Sequence, residues 1–112
     1  MGIKAHVAEA YQVKHRIYDN FSGKQDVINR LLYKECPDLN WQGEDVECAE
    51  QLEITRADLA NLIAIICYNR RDFELWREKN QISETLDDII GIFAKWMAHS
   101  DQRNDFVVLN WY

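Results

Sequence analysis

The stretch Ile54-Thr55-Arg56-Ala57-Asp58-Leu59 constrains this fold more than any other part of the chain. Thr55 stands where an N-cap accepts an amide hydrogen, and Asp58, three residues on, is an acid near the positive end of the helix dipole. Ile54 and Leu59 make a hydrophobic staple across them. The following run, residues 59–68, is uncharged, and Leu59, Leu62, Ile63, Ile66 and Cys67 form a stripe broad enough for the central element of a core. The spacing predicts a helix that either runs on through Arg70 and Arg71 into Phe73 and Trp76 or breaks near Asn69. Cys67 is expected as an inert core thiol.

Other segments read as helices around it. Ile3, Val7, Ala10, Ile17 and Phe21 recur at spacings near three and four, interrupted only by Lys14, which predicts a first helix. Ser22-Gly23-Lys24-Gln25 fits a capping box opening a second helix, with Val27, Ile28, Leu31 and Leu32 inward. That helix must end near Cys36, because Pro37 disfavours helical geometry in the residue before it. Residues 37–43 are loop-like. Residues 44–53 fit a strand on Val46, Cys48, Leu52 and Ile54, or a helical turn on Val46, Ala49 and Glu50, and the turn is preferred. Ser83 opens another helix with Leu86, Ile89, Ile90, Phe93 and Met97 on one face, followed by a polar turn over 99–104. Residues 106–112 are β-prone and apolar on both alternations, so they should be docked, pairing with part of 44–54.

These elements predict a mainly α fold: one globular domain over 1–112, a bundle of four to five helices with a docked C-terminal extended segment or short β pairing. The expected core is Ile17, Leu31, Leu59, Leu62, Ile63, Ile66, Leu86, Ile89, Ile90 and Phe93. At 112 residues the chain is long enough to bury this core without a metal or disulfide. No stretch is long and apolar enough to span a bilayer, and the N-terminus lacks both a signal-peptide core and a myristoylation pattern. Three widely spaced cysteines, with no zinc-ligand spacing, point to a reducing, cytoplasmic compartment.

Charge is the second organising feature. Net charge is −6, and seven of the 19 acids lie within 35–53, which holds no Lys or Arg; the 12 remaining acids are outnumbered by the 13 basic residues elsewhere. Trp41 sits among Asp38, Glu44, Asp45, Glu47 and Glu50, a pattern suited to a basic protein partner: charge speeds encounter and the aromatic anchors the contact. A second, basic-aromatic patch, Arg70, Arg71, Trp76 and Arg77, offers a counterpart within the same chain or across a homodimer. The same patch is the only candidate for nucleic acid, which the net charge opposes, and Asp72, Glu74 and Glu78 neutralise its arginines. Thr55-Arg56-Ala57-Asp58-Leu59-Ala60 resembles the first helix of a helix-turn-helix, but no glycine marks the turn that should follow.

Catalytic patterns are sparse. Asp38, Asn40, Gln42 and Gly43 match the start of an EF-hand calcium loop, yet its last position, a bidentate glutamate, is Ala49. The three histidines are isolated from nucleophiles, and no glycine-rich phosphate loop exists. Glu47-x-x-Glu50 and Glu84-x-x-Asp87 each place two carboxylates one helical turn apart. This pairing resembles the all-α nucleotide pyrophosphohydrolases, whose ExxE and ExxD motifs lie on neighbouring helices. The resemblance implies Mg²⁺ held by Glu47, Glu50, Glu84 and Asp87; the plainer reading is a solvated acidic face and a dipole-favoured first turn.

The expected function is therefore that of a non-enzymatic, acidic interaction protein without metal or cofactor. An inhibitor or immunity-type protein that engages a basic partner through 35–53 fits best. A phage-encoded anti-defence protein imitating DNA and the pyrophosphohydrolase-like enzyme are the alternatives.

Overall fold

The computed structural model describes residues 3–8, 15–19, 21–42 and 45–111, with the backbone alone at 8 and 15–19. Its first finding overturns the mainly α expectation. The described residues form a two-layer α/β fold, with a five-stranded antiparallel sheet in the order β2-β1-β5-β4-β3 under four α-helices. The strands are β1 (Ala5–Ala8), β2 (His15–Asp19), β3 (Asn40–Gln42), β4 (Gln51–Thr55) and β5 (Phe106–Trp111). The helices are α1 (Gln25–Glu35), α2 (Arg56–Tyr68), α3 (Arg70–Lys79) and α4 (Leu86–His99).

The predicted first helix is the hairpin β1–β2 instead. Its 3–4 spacing was one of two periods present, since Ala5 and Val7 also alternate. Pairing decides between the two: Ala5 lies opposite Trp111 and Val7 opposite Leu109, so both enter the core face of the sheet. Ala10 lies outside the described residues, as does the side chain of Ile17.

Residues 106–111 do form a docked strand, but as the third of five rather than as an appendage to a bundle. β5 pairs with β4 across five residues, and Val107, Leu109 and Trp111 alternate inward beside Leu52 and Ile54. The other alternation, including Thr55, Glu53, Val108 and Asn110, stays partly exposed on the uncovered face.

α1, α2 and α4 each bury an apolar face in the core on this side of the sheet, whereas α3 buries no residue completely. Thr55 caps α2 as its position predicts, accepting the Asp58 amide at 3.1 Å. Leu59, Leu62 and Ile66 are buried and Ile63 is partly so, whereas Cys67 is exposed; the expectation of a core thiol fails because the inward stripe is narrower than the apolar run. The buried thiol is Cys36, the C-cap of α1, whose pKa is pushed up to about 12, first by burial and then by Asp58 and Glu35. The chain breaks at Asn69 between α2 and α3.

α1 buries Val27, Ile28, Leu31 and Leu32 as expected, but Ser22 does not cap it. Phe21 and Ser22 both take left-handed backbone angles (φ 46° and 58°), conformations that cost on the order of 1–3 kcal/mol each in non-glycine residues. They turn Phe21 into the core against Phe93 and Trp96, with ring centroids 6.0 and 5.7 Å away. They also turn the Ser22 hydroxyl onto Ser83 (2.5 Å) and the Glu84 carboxylate, to which it donates at 2.6 Å. α4 then begins two residues later than expected, with Thr85 and Asp88 forming a full capping box. Leu86, Ile89, Ile92, Phe93 and Trp96 are its buried face, while Ile90 and Met97 are only partly buried.

Arg56 locks the two layers. From the β4–α2 junction its guanidinium donates to the carbonyls of Met97, Asp101 and Asn104 (2.9, 2.8 and 2.9 Å) and to the Ser100 hydroxyl (2.6 Å). This satisfies the end of α4 and the turn into β5 at once.

Candidate partner-binding surface

The acidic segment 35–53 is built by short elements that follow one another closely: the end of α1, edge strand β3, a 3-10 turn (Val46–Cys48) and β4. Pro37 ends α1, and the Asp38 amide donates to Asp58 at 2.9 Å, which ties the turn to the start of α2. Among the described residues β3 pairs only with β4, so its other edge carries no strand there, and all three of its residues are exposed. Trp41 lies opposite Leu52, on the helix-covered side, but at the margin where the covering ends. There it remains 38% exposed and meets Tyr33 of α1 edge to face, at 5.4 Å and 89°. Tyr33 is itself 53% exposed, so the pair forms an apolar prominence at the sheet edge.

Tyr33 was not among the sequence candidates. Its signal was an aromatic off the apolar stripe of α1, in the last turn, where packing does not require one.

The carboxylates of the segment have separate duties. Asp45 caps the 3-10 turn by accepting the Cys48 amide at 3.0 Å, and the same carboxylate raises the Cys48 thiol pKa. Glu47 reaches Arg30 of α1 at 3.5 Å, beside a 3.6 Å contact from Arg30 to Asp26. These exposed pairs contribute little, about 0–1 kcal/mol each. Asp38, Glu50 and Glu53 make no ion pair among the described residues. Glu44 lies outside the described residues. The backbone carbonyl of Glu50 accepts the Trp111 amide at 2.7 Å, which fixes the acidic segment to the central strand.

The basic-aromatic patch does not meet this segment within the described residues. Arg70 donates to Asp87 at 2.9 Å, and Arg77 to Glu74 at 2.9 Å and to the Ile82 carbonyl at 3.0 Å. Glu74 holds the Arg77 pKa above its ordinary value. Trp76 packs against Phe73 (6.2 Å, 71°), and Arg71 is exposed. An acid of α4 and one of α3 itself thus neutralise two of the arginines, which weakens the patch as a phosphate-binding track.

The paired-carboxylate reading loses its geometry. Glu47 lies in a three-residue 3-10 turn that ends before Glu50, so the two do not share a helical face. Glu84 accepts from Ser22, Asp87 accepts from Arg70, and among the described residues no three acid, histidine or cysteine side chains converge as a metal site. The sheet also separates this chain from an all-α architecture. The calcium-loop match fails for a related reason, because Asn40 and Gln42 are strand residues paired to Glu53 and Gln51.

Among the described residues no helix is long and apolar enough to cross a membrane. Compared with protein-family models, with curated proteins and with solved structures, the chain matches none.

Proposed function

We propose that this is a non-enzymatic interaction protein of the inhibitor or immunity type, which engages a basic protein surface through β3 and its flanking acids. One observation carries the reading: an exposed Tyr33–Trp41 pair stands at an edge strand, in a segment whose Asp38, Glu50 and Glu53 make no ion pair among the described residues. Aromatic anchors within a charged rim are the pattern that gives interfaces both affinity and fast association. Asp38, Trp41, Asp45, Glu47 and Glu50 are the contact residues, with Tyr33 added by the structure. Covering a basic surface also blocks whatever that surface binds, which is how an inhibitor of this shape would act. The three free thiols support a reducing, cytoplasmic setting.

The test is affinity capture with matched baits. Wild type, Trp41→Ala and Asp38→Lys/Glu50→Lys are used in parallel, and a basic protein retained by wild type alone is purified and titrated. Affinity should fall at least tenfold for Trp41→Ala and decline steeply between low and physiological salt. A partner held equally by all three baits, or one indifferent to salt, defeats the proposal.

A further inference from the structure

Helix α3 is oddly served by its own domain. None of its ten residues is fully buried, although it carries Phe73, Leu75 and Trp76. A helix in a small domain gains most of its stability by burying an apolar face, so one that buries none completely is short of a partner. Leu75 is 59% exposed, and Tyr68, just before the break at Asn69, is 89% exposed. Beside α3 runs a groove of about 560 Å³, floored by Leu31, Ile65, Phe73 and Trp76.

Five charged residues line this groove; Arg30 pairs with Asp26 and Glu47, and Lys34 with Glu35, which leaves Asp72 and Lys79 to select its occupant. Asp72 and Lys79 both line it, seven residues apart on the stripe that includes Leu75 and Trp76. Neither makes an ion pair among the described residues. Two copies of α3 laid antiparallel about a two-fold axis, passing between Leu75 and Trp76, bring Asp72 of each against Lys79 of the other. Both pairs form at once, and each Leu75 faces the groove beside the other copy's Trp76. The surface is self-complementary, which is the requirement of an isologous interface.

We propose that α3 is a homodimer face, with Leu75 as the inserted residue and the reciprocal Asp72–Lys79 pairs setting the antiparallel register. The occupant of the groove is a second copy of this chain. Helices of this length make a small contact, so association should lie in the micromolar range. The face shares Glu35 with the acidic segment, but neither Tyr33 nor Trp41 lines the groove, so it can stand or fall without the Trp41 contact.

Sedimentation velocity over roughly 1–100 µM tests the idea, with circular dichroism confirming that each variant is folded. Wild type should shift from monomer to dimer across that range, and Leu75→Lys should remain monomeric. Asp72→Lys and Lys79→Asp should each weaken dimerisation about tenfold by setting like charges opposite one another, and the double swap should restore it. Trp41→Ala should dimerise like wild type. If Leu75→Lys proves unfolded, the charge swap alone decides. A wild type that stays monomeric, a double swap no better than its parents, or a dimer lost in Trp41→Ala would each overturn the proposal.

Discussion

Helices α3 and α4 are consecutive, differ by only four residues in length, and each carry one tryptophan, yet the domain treats them in opposite ways. α4 starts with a complete capping box and buries Leu86, Ile89, Ile92, Phe93 and Trp96. α3 starts at Asn69 without a side-chain cap and buries nothing completely. It is held instead by side-chain bonds at its ends, from Arg70 to Asp87 and from Arg77 to Glu74 and the Ile82 carbonyl. The difference separates structure from surface: α4 is needed for the domain to exist, and α3 is presented by it.

Substitutions can break that contrast, and the two tryptophans should do so most sharply. Trp96→Ala removes a fully buried ring from the Phe21–Phe93 cluster and should cost about 3–5 kcal/mol in urea unfolding. Trp76→Ala, at a half-buried site, should cost less than half as much. Equal losses would mean that α3 belongs to the core after all.

Arg56→Met should come next, at about 2–3 kcal/mol, because it removes at once the four guanidinium bonds that tie the β4–α2 junction to the end of α4 and the following turn, even though the Met97 carbonyl keeps Ser100 and Gln102 and the Asp101 carbonyl keeps the Asn104 amide. A thermal melt unchanged from wild type would show that water replaces the guanidinium without loss. Caps sharpen the comparison further. Thr85→Ala should destabilise by about 1 kcal/mol, while Asn69→Ala, which loses no bond to α3 and only an exposed one to the Ile65 carbonyl at the end of α2, should cost less than half as much.

The smallest effect is on thiol reactivity. In the folded protein a thiol reagent should reach Cys48 and Cys67, with Cys36 reacting only on unfolding. Asp45→Asn should speed Cys48 several-fold near pH 8, because removing the carboxylate lowers a pKa that Asp45 raises, leaving more thiolate at that pH. A rate unchanged by Asp45→Asn would mean that the carboxylate does not govern the thiol.

The same contrast explains what could be read from the sequence. Local signals were legible: the Thr55–Asp58 cap, the end of α1 before Pro37, and most of the buried face of α4 depend on neighbours within a turn or two. The N-terminal hairpin was not, because β1 is held between β2 and β5, and the partners that set Ala5 and Val7 on the core face, Trp111 and Leu109, lie more than 100 positions away. The Ser22 misreading is of the same kind. Its hydroxyl had a better partner in Glu84, 62 residues on, than in the first turn of α1. At the candidate surface Trp41 was visible as an aromatic among acids, but the edge strand beneath it and its contact with Tyr33 are tertiary facts.

The position of β5 also bears on how the protein comes to be made. β1–β2 and β3–β4 are two hairpins with no pairing between them, and the strand that joins them is encoded after everything else described. Until the ribosome has delivered residues 106–111, the inner edges of β1 and β4 stand open, and no amount of helix formation can close them. The helices can gather early from local contacts, whereas the sheet must wait until residues 106–111 have been made. A nascent chain stalled before Phe106 would therefore expose two ready templates for strand addition, which makes unfinished copies of this protein the ones most exposed to aggregation.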